Sequence, residues 1–113
     1  MVVIVGVTDV LFKSKILGAA QQISGDIVLA HNQEGVLDAA GQLNAERVIL
    51  DLNEKKYDVM ETIRVLKEAQ PGTEIVGFVS HVQRDVMAKA KIAGCDVILA
   101  REAFVKKLAE LLK

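Results

Sequence analysis

Asp51 closes the apolar run Val48-Ile49-Leu50, and other polar residues stand where comparable runs stop. Thr8 follows Val2–Val7, His31 follows Asp26–Ala30, and Asn53 lies just beyond Asp51. Ser80 and His81 follow Glu74–Val79, and Arg101 follows Asp96–Ala100. These types offer several chemistries. Asp51 is a candidate reactive carboxylate. Ser80, His81 and Asp51 are the residue types of a nucleophilic triad, but no nucleophile-elbow motif accompanies them. His31, His81 and Asp51 are zinc-ligand types without metal-site spacing. Ser80 equally suits a helix N-cap. No catalytic residue and no metal ligand is therefore assigned.

The elements that must position these residues follow from periodicity. Short β-branched runs bounded by polar residues read as buried parallel strands. They cover Val2–Val7, Asp26–Ala30, Arg47–Leu52, Glu74–Val79 and Asp96–Ala100. Between and after them lie helical patterns: Val10 to Ile23, Gln33 to Leu43, a stretch from Asp58 to about Ala69, Gln83 to Ala93, and Ala103 to Leu112. In the first of these, Leu11, Ile16, Ala19, Ala20 and Ile23 are expected to share the inner face. Asp9 and Asp58 are expected N-caps. Gly25, Asn44 and Gly94 suit helix ends, Pro71-Gly72 is a breaker, and Arg101-Glu102 is expected to turn the chain. Strands alternating with helices through short loops imply a single α/β domain over residues 1–113, with one doubly wound parallel sheet. The polar residues then gather at the C-terminal edge of that sheet, where open α/β sheets bind ligands.

Composition narrows the function classes. The chain has 113 residues and is half hydrophobic, with no tryptophan, so its core is built from aliphatic side chains. A net charge of -1, with both signs mixed along the chain, gives no electrostatic footprint for nucleic acid or an anionic membrane. The basic stretch Lys13–Lys15 and the set Lys89, Lys91, Arg101, Lys106 and Lys107 read as solvated helix faces, with a weak anion site as the alternative. The opening MVVIVGV lacks the parts of a secretory signal, and no run is long enough to span a membrane. The single cysteine, Cys95, has no partner for an internal disulfide. A cytoplasmic protein is expected. Gly6 and Gly18 do not make a dinucleotide fingerprint, and no cofactor is expected.

The chain resembles the receiver domain of two-component response regulators, the CheY-like members of the flavodoxin-like fold. Val48-Ile49-Leu50-Asp51 is similar to the strand ending at that family's phosphoacceptor aspartate. Val76-Gly77-Phe78-Val79-Ser80 is similar to the strand ending in a phosphoryl-binding Ser or Thr. Gly94-Cys95-Asp96-Val97-Ile98-Leu99-Ala100-Arg101 is similar to the Gly-Ala-Asp, strand, Lys pattern, with Arg101 for the lysine and Glu102 for the proline after it. The resemblance implies five strands in the order 2-1-3-4-5 with five helices, and a phosphoacceptor-like Asp51 with phosphate-site-like Ser80 and Arg101. Thr8, Asn53 and His81 are further edge candidates.

One departure bears on chemistry. The family carries two adjacent acids after the first strand that bind Mg²⁺, and here those positions are Gly6 and Val7. Phosphoryl transfer to a carboxylate needs charge neutralisation, usually by a metal, and Mg²⁺ wants about six oxygen ligands. The resemblance thus implies a stand-alone pseudo-receiver, a non-enzymatic signalling or interaction module in which Asp51 pairs with Arg101 or with loop N–H groups. It also implies contact with a protein partner or a second copy through the Gln83–Lys113 face, with Arg84, Met87, Lys91, Phe104, Lys107 and Leu111 as contacts. The alternatives are a working receiver, with Asp9 or Glu54 helping Asp51 hold Mg²⁺, and a small enzyme or ligand-binding domain using the sheet edge.

Overall fold

The computed structural model describes residues 2–23, 25–79 and 82–113. The elements alternate: β1 (Val2–Gly6), α1 (Val10–Ala20), β2 (Asp26–Leu29), α2 (Gln33–Leu43), β3 (Arg47–Asp51), α3 (Val59–Ala69), β4 (Glu74–Val79), α4 (Arg84–Ala93), β5 (Val97–Ala100) and α5 (Arg101–Leu111). All strand pairs are parallel and the order is β2-β1-β3-β4-β5. The expected doubly wound topology is therefore the observed one.

Alternation along the strands divides the core in two, because successive side chains leave opposite faces of a sheet. Ile4, Val48, Leu50, Ile75 and Val79 pack under α2, α3 and α4, with Val36, Ile63, Leu66 and Ala90. Val3, Val5, Ile49, Val76 and Phe78 face α1 and α5, with Phe12, Ile16, Phe104 and Leu108. Phe104 stacks on Phe78 with ring centroids 4.1 Å apart, and Phe12 lies 4.8 Å from Phe78. The sequence is poor in aromatics, yet all three phenylalanines meet at one place.

Capping sets most helix ends. Asp9 accepts from Phe12 N, Asn32 from Gly35 N and Asp58 from Glu61 N. Asn44 and Gly94 take the left-handed conformation at the ends of α2 and α4. Two expectations fail. Helix α1 stops at Ala20, and its register turns Phe12 inward and leaves Leu11 77% exposed. The larger apolar ring takes the inner position because Phe78 and Phe104 complete a cluster around it. Arg101 and Glu102 do not turn the chain between elements. They form the first turn of α5, which starts directly from extended Ala100.

Candidate functional site

In the order 2-1-3-4-5 the connections diverge between β1 and β3, and a crevice opens beyond their C-terminal ends. It has a volume of about 620 Å³ and is lined by Thr8, Asp9, Val10, Asp51, Asn53, Glu54, Lys55, Lys56 and Gln83. Three of the expected edge residues, Thr8, Asp51 and Asn53, meet there. Ser80 and His81 lie outside the described residues.

Asp51 is only 5% exposed. Its Oδ1 accepts from Asn53 N at 2.8 Å, a bond made by the turn that follows β3. Burial pushes its carboxyl up to about 6, and the Glu54 and Asp9 charges push the same way against the hydrogen bond from Asn53. No ion pair with Asp51 occurs among the described residues. The expected Asp51–Arg101 pair is thus not formed, whereas the expected loop N–H bond is. Arg101 is exposed at the start of α5, with its guanidinium carbon 5.5 Å from the centroid of the Phe12 ring. It satisfies its charge by solvent and a cation–π contact, and it does not line the crevice.

Glu54 is the most engaged side chain of the site. Its Oε2 accepts from Thr8 Oγ1 at 2.6 Å, Lys56 N at 3.0 Å and Lys55 N at 3.1 Å, and its Oε1 accepts from Thr8 N at 3.2 Å. Asp9 is occupied as the cap of α1. Asn53 Nδ2 donates to Gln83 Oε1 at 2.8 Å and so ties the loop after β3 to the start of α4. No cluster of three or more His, Cys, Asp or Glu side chains suited to a metal occurs among the described residues. His31 is exposed beyond the edge strand β2, with β1 between it and Asp51.

Gly6 and Val7 have their space filled. A Cβ on Gly6 would come within 2.8 Å of both Tyr57 Oη and Val36 Cγ2, and within 2.9 Å of Leu50 Cδ2. The Tyr57 hydroxyl donates to the Gly6 carbonyl oxygen. Burial raises the Tyr57 hydroxyl's pKa, and the charges of Glu54 and Asp51 add to this, so Tyr57 stays a neutral donor. Val7 is 1% exposed and packs with the phenylalanine cluster. Sequence reasoning did not single out Tyr57. It is the only tyrosine in the chain and stands in an otherwise polar loop, which is the signal that could have marked it.

Fold and crevice together define the class: a doubly wound α/β domain of the flavodoxin-like kind with a carboxylate at its switch point. More particularly, it has the receiver fold of response regulators. The chain is similar to a response regulator from Thermotoga maritima, with 17% identity, a TM-score of 0.76 and coverage of 96% of this chain and 97% of that one. It is similar to a response regulator in red light signalling of R. palustris, with 18% identity, a TM-score of 0.80 and coverage of 97% and 90%. It is also similar to the phosphorylated cyanobacterial phytochrome response regulator RcpA, with 15% identity, a TM-score of 0.79 and coverage of 99% and 88%. At such identities the likeness is one of fold. No protein-family model matches the chain, and no curated protein matches it in sequence.

Proposed function

We propose that this domain is a pseudo-receiver: a non-enzymatic signalling module that uses the receiver fold as an interaction scaffold without metal-dependent phosphorylation of Asp51. The observation that carries this reading is the filling of the two acid positions. An acid at residue 6 meets Tyr57, Val36 and Leu50, and residue 7 is an apolar member of the aromatic core. Mg²⁺ commonly relies on one or two carboxylates beside its waters and phosphate oxygens. Asp51 is a poor site alone, Glu54 is held by four donors, and Asp9 is a cap. These residues do not fit the ion.

The partner surface in this reading is the face formed by α4, β5 and α5, which binds another protein or a second copy. Arg84, Lys91 and Lys107 are exposed there, and Met87 and Leu111 are half-buried. Val105 adds exposed apolar area there, at 38%. Phe104 is withdrawn from the contact set, because at 1% exposure it belongs to the core. No helix among the described residues is long and apolar enough to cross a membrane.

The test is a titration of the isotopically labelled chain with a small phosphodonor, or with beryllofluoride, in the presence of Mg²⁺. The expected spectrum is unchanged around Asp51. A saturable shift at Asp51, Thr8 and Asn53 would instead establish a working receiver.

A further inference from the structure

Four donors from two loops converge on the Glu54 carboxylate, and the donors at Thr8 lie 46 residues away in the chain. Backbone N–H groups aimed at one point, joined by a hydroxyl, are the donor set of an oxyanion cradle. The lysine side chains at 55 and 56 line the same crevice and offset the carboxylates of Asp9 and Asp51 that also line it.

We propose that Thr8, Lys55 and Lys56 form an oxyanion-binding cradle whose occupant is supplied in cis by Glu54. The tethered carboxylate clamps the loop after β1 to the loop after β3. The mouth of the crevice is thereby set in its anion-bound arrangement with no external ligand. The ligand class is an oxyanion, phosphate or carboxylate, and an external one is excluded because the tethered group is always present at high effective concentration. The Tyr57 hydroxyl bond to the Gly6 carbonyl oxygen braces the same loop against the end of β1 from the other side. This inference does not depend on whether Asp51 accepts a phosphoryl group, since no atom of Asp51 takes part in the cradle.

The test uses inorganic phosphate, without divalent metal or phosphodonor, and follows the amide resonances of Thr8, Lys55 and Lys56. The wild-type chain is expected to show no saturable shift. Glu54→Ala is expected to show saturable shifts at those three amides, weakened when Thr8→Val is added. A folded Glu54→Ala chain that does not bind phosphate at those amides overturns the proposal, as does wild-type binding of equal strength. Thr8→Val alone provides a second reading, independent of the Glu54 variant. Losing the hydroxyl is expected to speed hydrogen exchange of the Lys55 and Lys56 amides about tenfold, with α2 unaffected. Unchanged protection there would also overturn it.

Discussion

At the scale of single residues, Asp51 is a carboxylate held at a cost. It is 5% exposed, it accepts one backbone hydrogen bond among the described residues, and the negative Glu54 and Asp9 face it. Its carboxyl is pushed from 3.8 up to about 6, mainly by burial. The sign of the stability effect follows from proton binding. Across that window the folded chain holds a proton that the unfolded chain has released. Stability from this group therefore falls as pH rises from about 4 to about 6 and is level above. Asp51→Asn keeps an acceptor for Asn53 N and removes the buried charge. It is expected to be more stable than wild type by on the order of 1–3 kcal/mol at pH 7.5, with the gap closing by about pH 4. Urea unfolding of both chains at the two pH values checks this. A destabilised Asp51→Asn at pH 7.5 would show that a cationic partner compensates the charge. The sequence alone located Asp51 and its neighbours Thr8 and Asn53 correctly at one edge. It could not show that Arg101 turns to Phe12, nor that Tyr57 covers Gly6. Both depend on contacts between residues far apart in the chain, and neither leaves a periodic trace.

At the scale of elements, legibility tracked local chemistry. Helix α2 and strand β4 begin and end where the pattern placed them, because Asn44 and the breaker before β4 are strong local signals. The start of α5 was missed because Ala100 makes no side-chain cap, so nothing in the sequence marks the boundary. The face of α1 was misread because apolar residues lie on both of its sides, with Val10 and Leu11 outward and Phe12 and Ile16 inward. Only the aromatic cluster decides between them. Helix α5 is held by that cluster and by Arg47, whose guanidinium donates to the Leu111 carbonyl oxygen at 2.7 Å and pairs with Glu74. The Arg47 bond satisfies a helix-end carbonyl, while Phe104 supplies the buried area. Phe104→Ala is expected to cost about 3–5 kcal/mol in chemical denaturation, the range for truncating a buried aromatic. Arg47→Ala is expected to cost less, since its ion-pair partner is 42% exposed and screened. A Phe104→Ala loss below about 1 kcal/mol would mean that α5 contributes little to the cooperative core.

At the scale of the whole molecule, the sheet lies between two apolar clusters and contributes strand residues to both. The Cα radius of gyration is 12.5 Å, which suits a compact domain of this length. Residues of β1, β3 and β4 serve the two clusters alternately, so neither face can lose its strands while the other keeps them. The domain is therefore expected to unfold in one step. Its only tyrosine makes this directly measurable, because Tyr57 packs with the α2, α3 and α4 side while Phe104 belongs to the α1 and α5 side. In the Phe104→Ala chain, Tyr57 fluorescence and far-ultraviolet ellipticity are expected to move to the same lower urea midpoint. The coupling runs through Ile49, Val76 and Phe78, whose backbone neighbours Leu50, Ile75 and Val79 line the opposite face. A Tyr57 transition left at the wild-type midpoint while the ellipticity midpoint falls would show that the faces unfold separately. The receiver-like scaffold would then act as two units sharing a sheet, and packing at α5 would reach the crevice through Val7 and Phe12 on its own face but not through Tyr57 on the other.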